Sequence, residues 1–200
     1  MKLIEPTMEY DKQIQAYRQE FLIFGGSMDG CGSLRKLERT QDWIDQVESL
    51  KRPETTPPHR VPSTQYIYVR ESDSKIVGAI QIRHYFNEFL GKYGGHIGYS
   101  VCPSERRKGY ATQMLRAVLP KCKSLGINNV LISCMTGNEG SRKTIMNNGG
   151  IYESTVYEPG KKCIWNDIGL LSQIDNFQFI GQLSFEGNCP FGHFDIKFEK

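Results

Sequence analysis

The chain has no long hydrophobic run. Nothing in its 200 residues approaches the roughly 18 to 20 consecutive apolar positions that a membrane-spanning helix needs. The opening Met1-Lys2-Leu3-Ile4-Glu5 also lacks the apolar h-region of a secretory signal. Together these absences exclude a membrane partner and set the expectation of a cytoplasmic protein. Charge of one sign is scarce too: 25 basic against 22 acidic residues leave a net charge of +3, too little to mark a nucleic-acid binder. Six cysteines, at 31, 102, 122, 134, 163 and 189, form no Cys-x-x-Cys pair and sit mostly within apolar patterns. They read as reduced core thiols, so neither a disulfide framework nor a metal site is expected. At 38% hydrophobic and 24% charged, the composition is that of a soluble globular protein, and the length suits one domain plus an appendage.

The most informative stretch runs from Gly94 to Leu125. Gly94-Gly95-His96-Ile97-Gly98-Tyr99-Ser100-Val101 is apolar, β-branched and aromatic, the pattern of a buried strand. A turn, Cys102-Pro103-Ser104-Glu105, leads to Arg106-Arg107-Lys108-Gly109-Tyr110-Ala111. Apolar residues then fall at 111, 114, 115, 118, 119, 122 and 125, the spacing of one helix face. A helix start leaves N–H groups unpaired and carries partial positive charge, so a turn that aims them outward suits an anion. Gly109 admits a ligand close to the backbone, and Arg106, Arg107 and Lys108 add formal charge. A phosphate or pyrophosphate is the natural guest, and an ordinary solvated basic face is the alternative.

Arg106-x-x-Gly109-x-Ala111 at the start of a helix, behind such a strand, resembles the acyl-coenzyme-A-binding motif of the GNAT N-acetyltransferase superfamily. Gly94 to Tyr99 followed by Pro103 to Ala111 is similar to the core of its bacterial predicted acetyltransferase branch. The second signature of that superfamily is matched by Asn138, Ser141 and Gly149. The resemblance covers about residues 2–164. It implies an α/β (α+β mixed) fold: a mixed, mostly antiparallel sheet flanked by helices, with a central parallel pair of strands splayed apart. It also implies acetyl-CoA as acyl donor. The pantetheine arm would pair with the backbone of the central strand at Tyr99, Ser100 and Val101. The diphosphate would sit on Arg106, Arg107, Lys108, Gly109, Tyr110 and Ala111, and Asn138 and Ser141 would line the arm unless they serve only as a helix cap. Gly98 suits a close backbone approach beside the notch, or else marks a β-bulge. A Tyr that commonly protonates the departing thiolate in this superfamily is replaced here by Ile145, so no general acid is assigned.

The remaining elements follow in order. Leu3 to Glu5 reads as a short strand, with Thr7 able to cap a helix on which Tyr10, Ile14, Tyr17, Phe21 and Phe24 share a face until Gly25-Gly26. Residues 27–39 read as a loop, Thr40 to Leu50 as a helix with Trp43, Ile44, Val47 and Leu50 inward, and the prolines at 53, 57, 58 and 62 exclude regular structure before Ser63. Period-two alternation over 64–84, broken at Glu71–Ser74, predicts a hairpin. Phe86 to Tyr93 is a connection with a short helical turn. On the central strand, Tyr99 and Val101 are expected to alternate with Ile97 and Ser100. Pro120 predicts a kink or a differently packed last turn, and Gly126 a C-cap. Asn129 to Cys134 reads as a strand parallel to the central one, with Cys134 and Tyr152 in the core. Ile151 to Tyr157 and a strand from Lys162 follow. Residues 165–200 read as an atypical extension, with strand-like runs at 177–180 and 194–198 that suit an added hairpin, an element exchanged in a dimer or a divergent end.

The expected chemistry is direct acetyl transfer to a primary amine of a small molecule, amino acid or peptide. An alkylamine with a pKa of about 10.4 is protonated at neutral pH, so a base or a desolvating cleft is needed. His96, His84 and Glu88 are the candidate bases, each with a structural or solvated role as the alternative. The resemblance implies that the N-terminal helices and the loop between them wall the acceptor cleft, where Asp29, Glu38, His59 and Arg60 would line the mouth, with a solvated loop position as the alternative for each. The resemblance allows a homodimer. A non-catalytic acyl-CoA sensor and a nucleotide-binding domain of another fold are the rival functions.

Overall fold

The computed structural model of the chain describes residues 1–158 and the strand 163–169. Strand β1, Lys2–Ile4, leads through a single 3-10 turn, Met8–Tyr10, into α1, Asp11–Phe24, and α2 is Thr40–Ser49. A hairpin follows, with β2 at Ser63–Arg70 and β3 at Lys75–Arg83, and then β4 at Ile97–Val101. Next come α3, Tyr110–Ser124; β5, Ile132–Met135; α4, Glu139–Met146; β6, Ile151–Glu158; and β7, Cys163–Gly169. The strands form two antiparallel sheets, β1-β2-β3-β4 and β5-β7-β6.

The first sheet is covered on both faces, which explains why β2 and β3 are buried almost throughout rather than on alternate positions. On one face α1 and α2 bring Ile14, Tyr17, Phe21, Trp43 and Val47 onto Ile67, Val69 and Ala79. Ile14, Tyr17 and Phe21 recur at helical spacing and are closed off from solvent. Phe24, expected on that face, projects into solvent from the last turn of α1. Thr7 forms no side-chain cap; its carbonyl instead accepts from Tyr10 N–H at the 3-10 turn. On the other face α3 lays Met114, Leu115, Val118 and Cys122 on Tyr66, Ile80, Ile82 and Ile97. Burying a side chain of this size contributes about 1.5–3 kcal/mol each, so both cores are substantial.

Several local signals act as their chemistry dictates. The Gly126 N–H donates to the Lys123 carbonyl and Ile127 N–H to that of Cys122, closing α3. Pro120 lies within a helix that continues to Ser124. Cys31, Cys102 and Cys122 are buried free thiols, and Cys134 is buried as well. Other expectations are corrected. Ile97 packs on the α3 face together with Tyr99 and Val101, because residues two apart share a face; Ser100 alone of the four turns to the α1 side. Tyr152 is exposed, with its hydroxyl on Thr155, and not in the core. Among the described residues, β7 pairs within the second sheet through Gly169. The expected runs at 177–180 and 194–198 lie outside the described residues. Among the described residues no helix is long and apolar enough to cross a membrane, and no cluster of His, Cys, Asp or Glu could hold a metal.

Candidate acyl-carrier and acceptor site

The parallel pair expected at the centre of the sheet does not form a ladder. β4 pairs with β3 and β5 with β7, and the two sheets meet through the residues just before β4 and β5. There His96 N–H donates to the Leu131 carbonyl at 2.7 Å, and Leu131 N–H donates to Nδ1 of His96 at 3.1 Å. Beyond this clasp the strands part. Arg83 N–H bonds the His96 carbonyl and Cys102 N–H the Val77 carbonyl, so alternation turns the peptide groups of Ile97, Tyr99 and Val101 away from β3, toward the gap. An exposed strand edge of this kind can accept an extended amide-bearing chain.

The turn from β4 to α3 stands beside that edge. Pro103–Glu105 makes a 3-10 turn; then Arg107 (φ 61°) and Gly109 (φ 80°) adopt left-handed conformations before α3 starts. Gly109 occupies the cap position, where only the absence of a Cβ makes such a backbone cost-free, and among the described residues no side chain caps the first N–H groups of α3. The basic residues divide their work. Arg106 Nε donates to the Val101 carbonyl and its guanidinium lies 5.7 Å from the Phe21 ring centre. Lys108 pairs with Glu105 at 2.9 Å. Arg107 is exposed and, among the described residues, has no side-chain partner. Glu105 itself is only 5% exposed and also binds Arg70 and Lys75. The Arg70 guanidinium, followed by Lys108 and Lys75, holds its carboxyl down at about 2. The carboxylate thus pins the turn to the β2–β3 hairpin.

Across the gap, Asn138 Oδ1 accepts from Ser141 N–H and caps α4. The Ser141 hydroxyl lies 2.7 Å from that of Tyr99. Burial pushes the Tyr99 phenol up to about 12, so it keeps its proton. Ile145 is buried. A phenol is therefore present beside α4, but β4 supplies it. The strand's face parity was the sequence signal that could have found it. Ser100 contributes backbone to β4 while its side chain joins a buried cluster: its Oγ donates to the Asp29 carbonyl at 2.7 Å and lies 3.0 Å from the Tyr17 hydroxyl. Gly98 is in regular register with Gln81, without a bulge. Its close neighbour is the backbone of Gly30, where an added Cβ would collide with the Gly98 carbonyl.

The three candidate bases fare differently from expectation. Nδ1 of His96 already accepts a hydrogen bond, its ring stacks on Phe86 at 4.0 Å, and burial, then Arg83, holds its pKa down at about 4. With that lone pair engaged, its task is to clasp the sheets. His84 shares a 2.9 Å hydrogen bond with Thr64 Oγ1, and burial lowers its pKa. Glu88 stands in solvent, paired with Lys92. None of the three is brought to the gap as a free base.

On the sheet face opposite α3, a cavity of about 240 Å³ opens between α2, β3 and the segment after it, lined among others by His59, Arg60, Ser63, Gln81, Arg83 and Asn87. Asp29 and Glu38, expected at the cleft mouth, are not among its lining residues. The Arg83 Nη1 donates to the carbonyls of Gly94 and Gly95, at 2.8 and 3.1 Å, so the same side chain braces the approach to β4.

Comparison with known proteins agrees with this geometry. No curated protein matches the sequence. Among solved structures, the ribosomal-protein-S5-alanine acetyltransferase from Vibrio fischeri superposes with a TM-score of 0.64 at 14% identity, covering 86% of this chain and 93% of that one. The microcin C7 self-immunity acetyltransferase MccE, in complex with acetyl-CoA and AMP, gives 0.60 at 16% identity, covering 84% and 90%. The ribosomal L7/L12 α-N-protein acetyltransferase, in complex with coenzyme A, gives 0.60 at 14%, covering 85% and 93%. At these identities the likeness is one of fold. The acetyltransferase (GNAT) domain matches residues 9–151, most of the chain. With a sheet parted beside an uncapped α3 and a family match across the whole of that region, the chain belongs to the GNAT acetyltransferase family.

Proposed function

We propose that the protein transfers an acetyl group from acetyl-CoA directly to a primary amine. The observation that carries this reading is the edge of β4, which has no strand partner among the described residues, running up to the N-terminus of α3. That edge suits a pantetheine arm, and the Gly109 turn with Arg107 suits a diphosphate. Arg106 and Lys108 shape the turn through their protein partners. Tyr110 and Ala111 offer their N–H groups, while Asn138 and Ser141 hold α4 against Tyr99. The acceptor enters from the opposite face, through the cavity.

In the transfer, the amine nitrogen forms a bond to the thioester carbonyl carbon and gives up one proton to water, and the carbon–sulfur bond breaks, its electron pair leaving on sulfur. The gap-facing N–H groups of Tyr99 and Val101 are placed to bind the developing oxyanion. The Tyr99 hydroxyl, neutral at physiological pH, donates to the departing thiolate. No side chain is needed to take the amine proton first: cations disfavour an ammonium nearby, and Arg60 and Arg83 line the cavity. MccE and the L7/L12 enzyme, bound to acetyl-CoA or coenzyme A in their structures, support the choice of donor.

Acetyl-CoA incubated with a pool of primary amines and this protein should release free thiol, and Tyr99→Phe should lower kcat about 10-fold or more with the acetyl-CoA KM little changed. Saturable acetyl-CoA binding without thiol release from any amine would favour an acyl-CoA sensor instead.

A further inference from the structure

The cavity has an unusual charge pattern for a cleft that is to receive an amine. Two guanidiniums, Arg60 and Arg83, line it together with the His59 imidazole, and among the described residues no carboxylate does. Arg83 is the deeper of the two. Its Nη1 is committed to the Gly94 and Gly95 carbonyls, but among the described residues it has no carboxylate within ion-pair distance. Burial pulls its pKa down, as expected of a cation removed from water without a counter-ion, and Asp29 offsets this only in part. The Arg60 guanidinium donates to Ser33 Oγ at 3.1 Å, its one side-chain partner among the described residues. Gln81, beside Arg83 on the cavity wall, is only 9% exposed, and its carboxamide makes no side-chain hydrogen bond among the described residues. That carboxamide is open to the cavity, so its donor and acceptor are available to a guest there. Ser63 and Asn87 add short neutral polar groups to the same wall.

We propose that this cavity is a carboxylate subsite, and that the acceptor is a small amine that also carries a carboxylate, as an amino acid does. The inference rests on the amine-acetyltransferase reading and names its substrate class. A planar guanidinium fork matches the two oxygens of a carboxylate, and the Gln81 amide supplies a further donor. The space is small beside the roughly 300–1,000 Å³ of pockets that hold drug-sized ligands, which favours a compact acceptor. Gln81 pairs with Gly98 of β4, so an anion held here would lie one strand from the parted edge, with the amine free to point to it. The arginines then serve twice: they anchor the carboxylate and discourage protonation of the amine.

The test uses the full chain with acetyl-CoA and matched amines that differ by one carboxylate: alanine against ethylamine, lysine against cadaverine, tyrosine against tyramine. Phosphoethanolamine is added as a phosphate-bearing arm. Thiol release should give kcat/KM at least tenfold higher for the carboxylated member of one pair or more. Arg83→Gln should lower the kcat/KM ratio between the carboxylated and plain members of that pair at least tenfold, because effects on β4 and on amine protonation fall on both members and cancel in the ratio, and Gln81→Leu should act in the same direction more weakly. Should Arg83→Gln fail to fold, Arg60→Gln, on the half-exposed rim, carries the same comparison. Equal use of both members, or a preference for phosphoethanolamine over every carboxylated amine, would overturn the subsite and leave acetyl transfer standing. Saturation-transfer NMR with the N-acetylated amino acids separates the two claims. Arg83-dependent binding without thiol release from any amine would keep the subsite and remove the transfer reaction; absence of such binding would overturn the subsite whatever the turnover.

Discussion

Two helices begin beside the open edge of β4, and they begin differently. α4 starts on Asn138, whose side chain accepts from Ser141 N–H, so the terminus is closed by its own chain. α3 starts on Gly109, in a left-handed conformation, with no side chain among the described residues capping its first N–H groups. The dipole argument applies to both helices, yet only at α3 are those groups left for a guest. The electrostatics around them differ as well. Behind the α3 turn, Glu105 gathers Arg70, Lys75 and Lys108 into a rigid support, while Arg107 stays without a partner among the described residues. Around the α4 start, Glu139 and Arg142 simply pair with each other in solvent. Anion affinity thus follows from what is left uncapped, and rigidity from a buried carboxylate one turn earlier.

The largest expected effect comes from making α3 resemble α4. Gly109→Asp keeps a residue that tolerates left-handed backbone and places a carboxylate where the diphosphate is proposed to sit. Losing two hydrogen bonds to a charged group, at about 1.5 kcal/mol each, corresponds to roughly 100-fold weaker acetyl-CoA binding. Calorimetric titration of acetyl-CoA into the variant measures it, with thermal unfolding as the control for folding. Affinity within threefold of the parent would remove the α3 terminus from the site.

Much of this contrast could be read from local signals. Gly109 before an amphipathic run, Asn138 three residues before Ser141, and the 64–84 alternation each depend on chain neighbours only. What could not be read depends on residues distant in sequence. The three adjacent basic residues at 106–108 look equivalent until Phe21 and Val101 engage Arg106, and Glu105, shared with Arg70 and Lys75, engages Lys108. Gly98 looks like a place for a ligand until the Gly30 loop is seen against it. His96 looks like a base until its Nδ1 is found on Leu131 N–H, because which lone pair remains is a tertiary fact. The cavity's charge comes from separate segments, 59–60 and 81–83, neither of which is a motif.

The next effect falls on the support beneath α3. Glu105→Gln leaves Arg70, Lys75 and Lys108 crowded without their common carboxylate; because these cations reach water, a loss of about 2 kcal/mol is expected rather than that of a fully enclosed pair. For a chain of this size, that lowers Tm by several degrees, at roughly 2–4 °C per kcal/mol. The pH dependence identifies the cause. The folded-state pKa of Glu105 lies near 2, below its ordinary value of 4.5, so its contribution is complete above about 4.5 and is lost as pH falls toward 2. The parent and the variant should therefore differ most near neutral pH and converge in acid. A difference that stays constant from pH 7 to pH 3 would mean that the loss comes from packing and not from the ionised carboxylate.

The smallest effect sharpens the contrast from the other side. Asn138→Ala removes the α4 cap, and cap deletions of this kind cost about 1 kcal/mol. It leaves the Gly109 turn untouched, so acetyl-CoA affinity should fall by no more than about threefold. The Tyr99–Ser141 hydrogen bond depends on where α4 starts, which gives the variant a second readout. If the first turn of α4 frays, Ser141 moves off the phenol and kcat should fall more than binding does. Asn138→Asp restores an acceptor for the Ser141 N–H and should recover both stability and kcat. Recovery of stability without recovery of kcat would show that the Asn138 amide itself meets the acyl carrier, and that the α4 terminus is part of the binding surface after all.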